Sequence, residues 1–364
     1  MTERDTDLTD APAHAAMDQF TAHLDRGWDL IHRGDLRGAQ LSAEKALELD
    51  AQAPEAHNLL GFVRAGQGQP EDALDAYRTA LALDDTFVEA MLNAAEVLIH
   101  PLHDFEAALG MIEEALDLAD NPDETADALL LKYDAYMHQG DREGARRVVH
   151  SFPDGPFENA RLDFLVGRAH FETGGYAQAK ALLEHAIAAE ATFGDAHHTL
   201  ALVHEAQGDN AAMVRSFLRA READMTLGAP SWALSSAAFE ELARSALKKL
   251  APQLQAAVQS AELFISDMPG AEVVADGVDP RISALLDAAD RSAATSAPTS
   301  DAEPKVRRIF FYQRNIERSV EDSADLPDEI AVVLEEELTA VFPALAPYAT
   351  LLRSDEEEHS GSDH

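Results

Sequence analysis

The side chains able to do chemistry in this 364-residue chain are 67 carboxylates and 15 histidines, with no cysteine. Without cysteine there is no disulfide, no thiolate metal site and no sulfur nucleophile. Histidine pairs bind metal only where a third ligand comes close. His100 and His103 flank Pro101, and His197 and His198 are adjacent. Adjacent residues on a helix point about 100° apart, so these read as surface histidines. The sequence has no nucleophile elbow, phosphate-binding loop, dinucleotide fingerprint or calcium loop. No metal and no cofactor are therefore expected.

The 28 Lys and Arg leave a net charge of −39. That charge argues against nucleic acid and anionic membranes as partners, because like charge repels before any contact forms. A hydrophobic content of 46% at this length implies a folded protein of about two domains. The opening MTERDTDLTDAPAHAA has neither a basic start nor an apolar run, so no signal peptide is expected. No stretch approaches the roughly 18 continuous apolar residues of a membrane span. The composition predicts an acidic, soluble, cytoplasmic protein of bacterial style.

The elements that must position any site announce themselves by self-similarity. The stretch from Gly34 (GDLRGAQLSAEKALELD) returns from Gly68 (GQPEDALDAYRTALALD), with further copies from His103, Gly140, Gly174 and Gly208. Gly34 to Gly68, Gly140 to Gly174 and Gly174 to Gly208 are each 34 residues apart. A period of this length marks a helical solenoid, whose units cannot bury their apolar faces singly. In the second copy Leu60 and Gly61 lie on a first helix, Gly68 turns the chain, and Ala73, Tyr77 and Ala80 form the buried stripe of a second.

Leu60-Gly61, Ala73, Tyr77 and Ala80 resemble, in order, the pattern of a tetratricopeptide repeat. On that frame repeats begin near Phe20, Pro54, Val88, Ala126, Ala160 and Gly194. The resemblance implies a concave groove lined by the second, fifth, ninth and twelfth positions of each first helix. These positions give Leu24 and Trp28 in repeat one, Asn58 and Phe62 in repeat two, and Leu92 and Glu96 in repeat three. They give Asp134 in repeat four, Arg161, Phe164 and Arg168 in repeat five, and Asp195 and His198 in repeat six. Trp28, Phe62 and Phe164 are expected as exposed aromatic anchors for a protein or peptide ligand. The carboxylates of repeats two to four favour a basic or amphipathic segment, and Arg161 and Arg168 an acidic group.

Beyond Gly228 the pattern changes. Residues 235–262 read as amphipathic helix interrupted at Pro252, and Leu263 to Ile265 read as strand, with strand character again at Glu272-Val273-Val274. Ala288 to Pro304 is rich in Ala, Ser, Thr and Pro, Val306 to Tyr312 is a strand, and Asp325 to Phe342 a helix. Phe239-Glu240-Glu241-Leu242 with Leu247, Leu250 and Leu254, then Leu263 to Pro269, then Ile309 to Arg318, resemble the minimal zincin-like metallopeptidases of bacteria. That family carries a His-Glu-x-Gly-His helix, in which two histidines one turn apart hold zinc and the glutamate is general base. Here Glu335, Glu336 and Thr339 stand at those positions, with no histidine between His204 and His359. The resemblance implies a degenerate, non-catalytic copy.

The sequence therefore predicts a mainly α protein. Residues 1–19 are read as a disordered N-terminus, 20–227 as a six-repeat α-solenoid, 228–352 as a small α+β zincin-like domain with a mobile loop at 288–304, and 353–364 as a disordered acidic tail. Its expected function is that of an adaptor or scaffold for protein–protein interaction, without enzymatic activity. The alternative is a zinc-dependent metallopeptidase whose repeats recruit substrate.

Overall fold

The computed structural model describes residues 10–288 and 304–350. The expected loop at 288–304 falls outside them except for its two end residues, as does the expected tail at 353–364. Among the described residues no helix is long and apolar enough to cross a membrane. Two compact units divide at Glu190/Ala191.

The N-terminal unit contains five helix pairs: α1 (Asp10–His32) with α2 (Leu36–Leu49), α3 (Pro54–Gly66) with α4 (Pro70–Leu83), and α5 (Val88–Ile99) with α6 (Phe105–Leu118). They continue as α7 (Pro122–His138) with α8 (Arg142–Val149) and α9 (Ala160–Glu172) with α10 (Tyr176–Ala189). Helix α1 begins at Asp10, so residues 10–19, expected as part of a disordered N-terminus, are helical. Only Pro12 interrupts the helical pattern there, and a first-turn proline is tolerated because its missing N–H has no helical partner.

Small residues set the spacing within each pair. Ala39, Ala43, Ala46, Ala56, Ala73 and Ala80 are fully buried, and a β-carbon added at Gly61 would stand 2.6 Å from the ring of Tyr77. Glycine at 61 is thus what lets α3 and α4 close over that ring. Burial, together with the nearby Glu96 and Glu89, holds the Tyr77 phenol well above its ordinary pKa.

The turns between paired helices repeat one backbone solution. Gly34, Gly68, Gly140, Gly174 and Gly208 have φ between 72° and 89°, each directly before an N-cap. Asp35, Asp104, Asp141 and Asp209 then cap the second helices, accepting from backbone N–H groups at 2.8–3.1 Å. The third repeat places His103 at the glycine position, with φ 52°. A β-carbon is disfavoured there, and only glycine visits this region without steric cost.

The C-terminal unit opens with a sixth pair, α11 (Gly194–Ala206) and α12 (Asn210–Thr226). It continues through α13 (Ser236–Ala246), α14 (Pro252–Val258), β1 (Glu262–Ser266), α15 (Ala271–Ala275), β2 (Ala284–Ala288), β3 (Val306–Tyr312), α16 (Gln313–Ser319) and α17 (Leu326–Val341), and closes on a 3-10 turn at Pro343–Tyr348. Glu272-Val273-Val274, expected as strand, forms α15 instead, a single helical turn that buries Val274 beside Met213 and Phe217 of α12. Strand β2 went unanticipated. The sheet order is β1-β3-β2, with β1 parallel and β2 antiparallel to β3. Its inner face, Leu286, Ile309 and Phe311, is buried with Phe239 of α13 and with Ile330, Leu334 and Leu338 of α17.

The division between units therefore falls one repeat earlier than the boundary read near Gly228. The sixth pair is tied to later elements of its own unit by polar contacts no periodicity reveals. Arg281 reaches Asp224 of α12 through two hydrogen bonds, Nε to Oδ2 at 2.8 Å and Nη2 to Oδ1 at 2.9 Å. Asp224 is only 2% exposed, and removing one partner of such a buried pair typically costs about 3–5 kcal/mol. Arg221 Nε also donates to the Pro269 carbonyl at 2.6 Å.

The strained turn yields a direct expectation. His103→Gly should raise resistance to urea by roughly 1 kcal/mol, the scale of left-handed strain in a side-chain-bearing residue. A loss of stability would mean that the ring contact of His103 with Phe105, centroids 6.0 Å apart, outweighs the backbone term.

Candidate functional site: the inner surface of the repeats

In the N-terminal unit the first helices α1, α3, α5, α7 and α9 lie in contact, each with the next, so their outward positions form one continuous surface. Trp28 of α1 meets Phe62 of α3 edge to face, with centroids 5.3 Å apart and planes at 67°. Both rings are half-buried, and Trp28 rests with Leu24 and Ile31 against the core residues Leu59, Leu60 and Val63. A fixed aromatic pair with part of its area still open suits an apolar side chain of a ligand.

Asn58 does not lie open on this surface. It is 1% exposed; its Nδ2 donates to Glu89 Oε1 at 3.1 Å, and its Oδ1 accepts from Asn93 Nδ2 at 3.0 Å. It is a strut between α3 and α5, because a buried amide must find partners on the helix beside it. Leu92 is half-buried against the cluster around Leu98 and Ile112, whereas Glu96 is exposed.

Phe164, expected as an exposed anchor, is 7% exposed, which corrects that expectation: its helix position points between repeats. The guanidinium of Arg168 lies over its ring, 5.8 Å from the centroid. Arg168 Nε is also 3.4 Å from Glu172 Oε1, while Glu172 Oε2 accepts from the Tyr133 hydroxyl at 2.5 Å. Arg168 is thus already engaged by a carboxylate and a ring, which leaves the exposed Arg161 as the more accessible cation of repeat five.

Between these ends the fold gathers groups that sequence spacing did not join. His100, which follows the last residue of α5, and His138 of α7 meet edge to face at 5.0 Å, and His138 stacks on Phe105 at 6.5 Å. The available signal was a carboxylate one turn before each histidine, Glu96 before His100 and Asp134 before His138, on successive first helices. Asp134 is half-buried. Burial raises its pKa, against the opposing charges of His100, Arg168 and His138. Asp127, earlier on the same helix, is raised by burial and by Asp123 and Glu124. Among the described residues, no three of His, Asp and Glu are placed to hold one metal ion.

In the C-terminal unit the positions of repeat six are filled from within. His198 Nε2 lies 2.9 Å from Asp279 Oδ2, and Asp195 Oδ1 lies 2.8 Å from Arg281 Nη1. Burial pushes the Asp279 carboxyl up, but the bond to His198 and the charge of Arg281 more than offset it and hold the group below its usual range. The three positions on α17 do not converge. Glu335 is fully buried and accepts from the Thr350 amide at 3.3 Å, Glu336 is exposed, and the Thr339 hydroxyl donates to the Glu335 carbonyl of its own helix at 2.8 Å.

Residues 54–87 match the family described as tetratricopeptide repeat. Over 88 residues the chain is 33% identical to the small glutamine-rich tetratricopeptide repeat-containing protein 2 of Saccharomyces cerevisiae, a match covering 24% of this chain and 22% of that protein. The chain thus spans about a fifth of that relative's length. Among solved structures, PilF of Pseudomonas aeruginosa is similar at 17% identity and a TM-score of 0.47, over 57% of this chain and 93% of that one. YrrB, described as a repeat protein with an unusual peptide-binding site, is similar at 15% identity and a TM-score of 0.38, over 50% and 93%.

The raised pKa of Asp134 has a signed consequence. The folded state takes up this proton at higher pH than the unfolded chain, so the ionised carboxylate costs stability above the folded pKa. That cost vanishes below the unfolded value of about 3.9. Asp134→Asn should therefore stabilise the protein near neutral pH and leave it unchanged at about pH 3, as read by urea unfolding at the two pH values.

Proposed function

We propose, from the premise that this chain carries tetratricopeptide repeats, that it is a protein-interaction scaffold whose inner repeat surface binds a basic, amphipathic segment of a partner. The observation that carries this reading is the pairing of the Trp28–Phe62 aromatic step with a run of carboxylates on the next first helices. Glu96 is exposed on that surface, and Asp134 is held there although its burial costs stability. A carboxylate kept at a cost to the fold is a candidate for recognition. Aromatic area supplies affinity, and the carboxylates supply orientation and selection against acidic partners.

The full-length chain, used as bait, should capture a protein that a Trp28→Ala, Phe62→Ala variant and a Glu96→Lys, Asp134→Lys variant each fail to retain. The captured protein should also elute with rising salt, since exposed ion pairs are screened. Retention by both variants, each folded by circular dichroism, would sink the proposal.

For the part of the chain beyond Gly228 the proposed reading is a non-catalytic relative of the minimal zincin-like metallopeptidases. Its support is the order of a helix with Phe239, strands β1 and β3, and helix α17 bearing Glu335, Glu336 and Thr339 where two histidines and a base would stand. Zinc analysis of the purified chain should find far less than one ion per molecule. A stoichiometric zinc, accompanied by peptidase activity abolished in Glu336→Gln, would favour the metallopeptidase alternative.

A further inference from the structure

We infer that Arg221, Arg314 and Arg318 of the C-terminal unit form a binding site for a phosphoryl group at the end of α12. The last turn of that helix gathers them. Arg221 and Arg314 both reach Met225, Arg221 through Nη1 to Sδ at 3.0 Å and Arg314 through Nη1 to the carbonyl at 3.4 Å. Arg318 Nη2 donates to the carbonyl of the preceding residue, Asp224, at 3.0 Å. Arg221 is held in addition by its bond from Nε to the Pro269 carbonyl. Arg314 and Arg318 lie one turn apart on α16, and the Arg314 amide donates at 3.0 Å to the carbonyl of Asp267, the residue after β1.

All of these side-chain bonds go to neutral atoms. Among the described residues none of the three guanidiniums pairs with a carboxylate, in a chain where acidic residues outnumber basic ones by 67 to 28. Nearby carboxylates are engaged elsewhere: Asp195 and Asp224 with Arg281, and Glu222 with Arg219 at 2.7 Å. The buried Glu317 accepts from the Leu234 amide and from Gln313. A helix C-terminus carries about half a negative charge, which accounts for one cation there and not for three. Burial lowers the pKa of Arg318; the charge of Asp224 opposes this, and those of Arg314 and Arg281 add to it. An anion bound here relieves that repulsion. All three arginines are half-buried, and most N–H donors of each remain unspent. A phosphoryl group offers three acceptor oxygens and a charge of about −1.5 to −2 at pH 7, which suits several guanidinium forks at once. A lone carboxylate occupies one fork and leaves the others facing each other.

The full chain can be titrated at constant ionic strength while the arginine Nε–Hε signals are followed by NMR. Inorganic phosphate should shift the signals of Arg221, Arg314 and Arg318 together and to saturation. Those of Arg161 in the N-terminal unit and of Arg219, paired with Glu222, should stay in place. Acetate at the same ionic strength should not reproduce the shifts. Combining Arg314→Gln with Arg318→Gln should weaken phosphate binding by about tenfold or more, the scale of one lost charge-assisted hydrogen bond, whereas Arg219→Gln should leave it unchanged. O-phosphoserine, titrated in parallel, separates the two sources of the group: tighter binding than inorganic phosphate assigns a phosphorylated side chain, weaker binding the free ion. Shifts that fail to appear or to saturate, that spread evenly over all arginines, or that acetate matches would overturn the inference. Undiminished phosphate binding by the folded double variant would overturn it too. Should that variant not fold, the titration of the unaltered chain decides alone.

Discussion

Each helix pair rests on the close approach of two helices across small side chains. Fully buried alanines recur at the same positions of successive repeats, and Gly61 leaves room for the Tyr77 ring that a methyl group would displace. No single pair encloses enough apolar area to offset the entropy of ordering it, so stability comes from stacking on the next pair. Because the second helices and the hidden faces of the first perform that task, the remaining face of each first helix is released from packing. The inner surface is a consequence of how the core is built, and its residues are free to vary in charge.

That freedom is visible in the electrostatics. The charge of −39 is spread over the molecule, yet its members do different work. Asp35, Asp104, Asp141 and Asp209 cap helices, and Asp163, fully buried, accepts from the Phe157 amide and lies 2.6 Å from His185 Nδ1. Asp224 anchors Arg281. Among the described residues Glu96 and Asp134 make no such cap or ion pair, and they are the carboxylates that the proposed reading gives to a partner. In the C-terminal unit the same chemistry is turned inward: His198 and Asp195, which sit at equivalent repeat positions, are occupied by Asp279 and Arg281.

Much of the repeat architecture was legible because it is local. A glycine before most second helices, a buried alanine stripe and a 34-residue period all act within one or two repeats, and the first helices of repeats two to six begin within a few residues of the expected starts, while α1 begins ten residues early. The inner-surface residues were legible as positions but not as environments. Phe164 and Asn58 occupy positions like those of Phe62 and Trp28, yet one is buried and the other is committed to Glu89 and Asn93. Position along a helix gives the direction of a side chain; whether a neighbour covers it depends on the next repeat. The meeting of His100 with His138 escaped for the same reason, since it joins residues of separate repeats.

From its sequence alone the chain determined the helix pairs, their turns and the acidic character of its surface, because periodicity, glycine and charge are properties of short stretches. Only the tertiary structure decided that the sixth pair belongs with the C-terminal unit, that Glu335 is core while Glu336 faces water, and that Arg168 is already held by Glu172. Each of these depends on a contact between groups brought together by packing, where burial makes a polar side chain take whichever partner lies within reach. Among the described residues, no three of the histidines and carboxylates named at the outset are placed to hold one metal ion. Some hold helices together, as Asp163 does with His185, some face outward, as Glu96 does, and some, such as Glu335, lie in the core of the C-terminal unit.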